Sequence, residues 1–67
     1  MKFPEAHQIY GAKAIKETES ALLIQTTRVE NIWIPKSQID ERSEVCSEGD
    51  SGLLIISEWF ARKEGLI

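Results

Sequence analysis

A single cysteine, Cys46, rules out an internal disulfide, and a small fold without such staples suits a reducing cytoplasm. Histidine is also single, at position 7. Structural zinc takes four Cys or His ligands and the chain holds two in all, so a zinc site is excluded. Nucleophilic catalysis needs a Ser or Cys beside a base and a third group that orients it. His7 lies in an N-terminal stretch, MKFPEAHQIY, that looks loosely held, and Cys46 has no activating partner in its acidic neighbourhood. The four glycines are scattered, and GDSG at 49–52 has neither the span nor the following lysine of a phosphate-binding loop. The same four letters surround the nucleophile of chymotrypsin-like proteases, but that fold is several times longer and draws its His and Asp from elsewhere, so the match is chance. Long apolar runs are absent: the longest, LLII at 53–56, falls far short of the roughly 20 residues that cross a bilayer. The N-terminus carries no apolar signal core, so a cytoplasmic protein without a membrane segment is expected.

What is present is the composition of a folded domain, with 42% hydrophobic and 28% charged residues. At 67 residues the chain forms one domain, 1–67, and a domain of that size buries only about 60% of the surface its unfolded form exposes. Homo-oligomerisation is an ordinary remedy for so small a core. A net charge of −3 repels phosphate at long range, which favours a protein partner while leaving room for a local basic patch that meets nucleic acid.

Periodicity predicts a mainly β chain. IYGAKAIKE, 9–17, alternates as a strand, with Lys13, Ile15 and Glu17 on one face, Ala12, Ala14 and Lys16 on the other, and Gly11 at a bulge. ALLIQTT and IWIP read as a hairpin joined through RVEN, and Pro35 ends the second strand by removing a donor. Val45 and Cys46 suggest a short edge strand inside the acidic segment 40–52, and LLII a buried one. Ser57 stands as the N-cap of a closing helix, Gly65 as its left-handed stop and Leu66 as the residue that folds back on Phe60 or Ala61. Four or five short antiparallel strands with one short C-terminal helix describe a small SH3-like or OB-like barrel.

Within IWIP, Ile32 and Ile34 point one way and Trp33 the other. If the isoleucines fill the core, Trp33 is an interface anchor; otherwise it packs inside against Trp59 or Phe60. Lys36, Ser37 and Gln38 follow the proline as contacts for a partner, or as turn chemistry. The carboxylates Asp40, Glu41, Glu44, Glu48 and Asp50 lack the spacing of a calcium loop; they form a solvated face or an imitation of a phosphate backbone that occupies a basic groove. These nine residues, Trp33, Lys36, Ser37, Gln38 and the five acids, make the candidate partner-binding set. In a nucleic-acid reading of OB type, Trp33 stacks on bases while Lys13, Lys16, Arg28 and Lys36 meet phosphates. No cofactor and no catalytic residue are expected.

Three segments, TESALL at 18–23, WIPKS at 33–37 and EWFARKEGL at 58–66, cover much of the chain. They resemble short phage and bacterial proteins of uncharacterised function that share T-x-x-A-L-L, W-I-P-K-S and E-W-x-A-x-K-x-G-L elements. The resemblance implies an accessory protein of a mobile element, and by analogy an inhibitor of a host defence complex such as a CRISPR effector.

Overall fold

The computed structural model describes residues 2–28 and 30–66. Strands β1 (Ala6–Glu17), β2 (Ala21–Gln25), β3 (Ile32–Pro35) and β4 (Ser51–Ser57) form one antiparallel sheet in the order β3-β2-β1-β4, and β4 runs directly into helix α1 (Glu58–Lys63). Between β3 and β4 the chain makes a 3-10 turn, Lys36–Gln38, and crosses the sheet in the segment 39–50. Sheet and helix are as the sequence predicts. The sheet is open, however: β3 and β4 are its two outer strands and do not pair with each other, so the SH3-like or OB-like closure is not formed.

Apolar alternation places the core. Leu22, Ile24 and Ile34 from the hairpin, Ala12 and Ala14 from β1, and Leu54 and Ile56 from β4 are buried on one face, where Val45, Phe60 and Ala61 complete the cluster. Two irregularities in β1 decide which residues face it. A register shift between Ile9 and Ala12, at Tyr10 and Gly11, is the expected bulge. A second, between Ala14 and Lys16, was not legible in the alternation, and it reverses the later faces. Ala14 stands opposite the buried Ile24, but Lys16 pairs with Leu23 and Glu17 with Leu22. Lys16 therefore joins Lys13 on the outer face instead of sharing a face with Ala14.

The edge strand expected at Val45 and Cys46 is absent; Val45 is a buried core residue in a loop. Its place along the open side of β4 is taken by residues 39–44. Ile39 makes a single bridge to Ile56, Asp40 N–H donates to the Ile55 carbonyl (2.7 Å) and Glu44 N–H to the Leu53 carbonyl (2.8 Å). Side chains then answer the strand's own amides: Ile55 N–H donates to Ser43 Oγ (3.2 Å) and Leu53 N–H to Glu44 Oε1 (2.8 Å). Gly52 permits this, since a Cβ there would stand 2.7 Å from Glu44 Oε1. Polar side chains thus close an edge that would otherwise invite another chain.

The other edge, β3, stays open. Lys36 N–H donates to the Ser20 carbonyl (2.8 Å), which sets the hydrogen-bonded pairs at Leu22–Ile34 and Ile24–Ile32. Trp33 and Pro35 therefore turn their backbone groups outward, where the missing proline N–H costs no ladder bond.

Helix α1 has the predicted caps. Ser57 Oγ accepts from Phe60 N–H (3.1 Å) and donates to Gln38 Oε1 (2.5 Å). Arg62 pairs with Glu58 one turn earlier. At the other end Gly65 has φ +72°, Gly65 N–H donates to the Arg62 carbonyl (3.2 Å) and Leu66 N–H to the Ala61 carbonyl (2.8 Å), a complete Schellman closure that packs Leu66 on the core. The sequence also suggests that Ile67 belongs to the core, but that residue lies outside the described ones. Because Ser57 serves both the helix and the 3-10 turn from a buried position, Ser57→Ala is expected to cost about 1–2 kcal/mol, measured by denaturant unfolding. An unchanged midpoint would show that water replaces both bonds.

Candidate functional site

The core takes only one aromatic, Phe60, and the larger rings lie outside: Tyr10 is 71% exposed, Trp33 47% and Trp59 63%. Trp33 is thus a surface residue, and its packing in the core against Trp59 or Phe60 does not occur. The pairing register places it on the outer face in a row Lys16–Leu23–Trp33 across three strands, with Ala21–Pro35 and Lys13–Gln25 on either side. A half-exposed indole, a half-buried leucine and two lysines form that patch. Trp59 lies on the helix surface, with Lys63 Nζ 5.2 Å from its ring centroid in a cation–π contact.

The 36–50 segment turns out to be scaffold to a large extent. Lys36 Nζ lies 2.5 Å from Glu17 Oε2, while Glu17 Oε1 accepts from Glu48 N–H (3.0 Å) and Glu48 Oε1 from Glu17 N–H (3.1 Å). This exchange ties the end of β1 to the loop, and the Glu48 N–H, with help from the Lys36 ammonium, holds the Glu17 carboxyl below its ordinary range. Asp50 Oδ2 accepts from Cys46 N–H, Ser47 N–H and the Ser47 hydroxyl, and these bonds lower its pKa too.

Asp40 is the most constrained of the five acids. Its side chain is fully buried and takes two bonds from the Arg42 guanidinium (2.8 and 2.7 Å), one from Arg42 N–H (2.8 Å) and one from Phe3 N–H (2.7 Å). The guanidinium bonds, aided by the two amides and opposed by burial, hold the carboxyl far below the usual range. A buried carboxylate presents nothing to a partner's basic groove. Glu44 is spent on Leu53 and Gln38 on Ser57; the exposed members of the partner-binding set are Trp33, Ser37, Glu41, Glu44 and Glu48, of which Glu44 and Glu48 are also tied to backbone amides. Lys2 Nζ stands 4.0 Å from Glu41.

Of the nucleic-acid set, Trp33, Lys13 and Lys16 share the outer face, Lys36 is held by Glu17, and Arg28 lies elsewhere. Arg28 borders a groove on the core side of the sheet, between the first half of β1, the β2–β3 turn and the end of α1. That groove escaped sequence reasoning because it joins residues from opposite ends of the chain. Among the described residues no group of three or more His, Cys, Asp or Glu side chains is placed to hold a metal ion. No helix among the described residues is long and apolar enough to cross a membrane. Comparison with models of protein families, with curated proteins and with solved structures finds no match for the chain, so the placement of its own residues carries the functional reading.

Proposed function

We propose that the protein is a small non-enzymatic binding module that docks on a protein partner through the outer face of β2 and β3, with Trp33 as its anchor. The observation that carries this is the contrast within one strand: Trp33 is 47% exposed and Ile34, the next residue, is fully buried. The indole is therefore presented from a fixed backbone, with little conformational entropy left to lose on binding. Aromatic side chains so held dominate interface energies, and the open edge of β3 offers the Trp33 backbone groups to an extended partner segment. Of the other candidates, Ser37 and Glu41 stand exposed to border such an interface, whereas Gln38, Asp40, Glu44, Glu48 and Asp50 hold the fold. A cytoplasmic place of action draws support from the single cysteine, and the blocking of a host defence complex from the sequence resemblance alone.

A second reading, binding of single-stranded nucleic acid, draws on Lys13 and Lys16 lying on the same face as Trp33. Both readings are tested by affinity capture with tagged wild type, Trp33→Ala and Trp59→Ala from nuclease-treated and untreated lysate. A nuclease-resistant partner retained by Trp59→Ala and weakened about 30-fold by Trp33→Ala is the expected result, as for a hot spot. Recovery that vanishes with nuclease, together with oligonucleotide binding that falls steeply with salt, would replace the first reading by the second. Equal capture by Trp33→Ala would remove both.

A further inference from the structure

The groove bordered by Arg28 lies on the core side of the sheet and is independent of the Trp33 face. Its volume is about 520 Å³, within the range of small-molecule sites. Its lining is unevenly distributed. The half-buried Ile9, Ile32 and Leu66 supply its accessible apolar surface, with the fully buried Ile24 and Ile34 of the core beneath them. Polar side chains supply much of the rest, His7, Gln8, Tyr10, Thr26, Thr27 and Arg28.

Charge separates this groove from the rest of the surface. The chain carries eleven acidic side chains, yet none is among the described residues that line it. Arg28 N–H donates to Thr26 Oγ1 (3.1 Å), which holds the turn backbone, while no described residue pairs with the Arg28 guanidinium. Elsewhere the arginines are taken: Arg42 by Asp40 and Arg62 by Glu58. A trough with an aliphatic side and, at its mouth, a planar, two-pronged donor that pairs with no described residue matches a molecule with a hydrocarbon body and a single carboxylate, since a guanidinium grips a carboxylate with two parallel bonds.

We propose that this groove is a binding site for a small aliphatic carboxylate, with the chain on Ile9, Ile32 and Leu66 and the carboxylate on Arg28. The Schellman closure takes part indirectly: it places Leu66 as one wall, so the end of α1 shapes the site.

The test is titration of isotope-labelled full-length protein with hexanoate, octanoate and decanoate below their micelle concentrations, followed by amide chemical shifts. Shifts centred on His7, Ile32, Arg28 and Leu66 are expected, with affinity rising about fourfold per added methylene, as each buries about 0.8 kcal/mol of transfer free energy. Decanol, equal in body and lacking the charge, is expected to bind at least tenfold more weakly. Arg28→Gln, an exposed substitution that leaves the melting temperature unchanged, is expected to weaken decanoate at least tenfold and to leave decanol unaffected. Equal binding of decanol and decanoate, an unaltered decanoate affinity in Arg28→Gln, or shifts confined to the Trp33 or Trp59 surfaces would overturn the proposal. So would tighter binding of a short leucine-terminated peptide in the same groove, which would make the ligand a protein C-terminus.

Discussion

Ile34→Ala is expected to cost about 3–4 kcal/mol, most of the stability of a domain this small, whereas Trp33→Thr one residue earlier is expected to cost about 1 kcal/mol. Ile34 is fully buried among Leu22, Ile24 and Leu54, and truncation removes the transfer energy of three carbons and leaves a cavity that a β-strand backbone cannot collapse into. The side chain of Trp33 already spends half its surface in water, and threonine keeps the β-branched fit to a pleated strand. Urea unfolding of both variants checks the pair. A reversed order, with Trp33→Thr the more damaging, would mean that the indole packs inside and that the proposed anchor does not exist. The comparison also guards the binding experiment, because loss of a partner in a Trp33 variant is informative only while the variant stays folded.

Asp40→Asn is expected to lower the melting temperature at pH 7 by about 10 °C, since it removes charge from an acceptor that holds the Arg42 guanidinium and two backbone amides from a fully buried position. The pH dependence distinguishes this from simple loss of packing. The folded carboxyl titrates far below its unfolded counterpart, whose pKa is about 3.9. The unfolded chain therefore takes up the proton first as pH falls. The stabilisation is complete above about pH 5 and drains away through and below pH 4, so wild-type stability drops in that window. Asparagine has no such proton to take up, and the variant's curve is expected to be flatter there, with a residual slope from Glu17 and Asp50, whose carboxyls are also lowered. Thermal melts at steps from pH 7 to pH 3 read both effects. Parallel wild-type and variant curves would mean that the Arg42 and Phe3 contacts do not govern acid unfolding.

Local chemistry made some elements legible. Ser57, Gly65 and Leu66 were readable because each cap bond closes within a few residues, so the ends of α1 depend little on the rest of the chain. The hairpin was readable for the same reason, with two β-rich runs separated by a short polar link. The second irregularity of β1 was not, because alternation of Ala14, Ile15 and Lys16 fits a regular strand equally well; only pairing with Leu22 and Leu23 forces the extra residue out. Val45 misled by its apolar character. It is buried from a loop and not from an edge strand, because Ser43 and Glu44 use side chains where a strand would use its backbone.

The candidate sites divide in the same way. The acidic segment looked like one surface because its charges are close in sequence, and the fold disperses them: Asp40 goes under Phe3 and Arg42, Glu44 onto β4, Glu48 onto β1 and Asp50 back onto its own turn. Asp40 and Asp50 accept from amides nearby in sequence, but the distant meetings of Asp40 with Phe3, Glu44 with Leu53 and Glu48 with Glu17 are set by the fold, and such meetings decide whether a carboxylate is a contact or a brace. By itself the sequence determined a β chain with one capped helix and a tryptophan set opposite two isoleucines, because these follow from the period of a pleat and from bonds a few residues long. The tertiary structure alone decided that the sheet stays open, that the isoleucines face inward and Trp33 outward, and that Ile9, Arg28 and Leu66 meet around one groove. Those outcomes rest on pairings across tens of residues, where the burial of one face against another selects among arrangements that local propensity leaves equal.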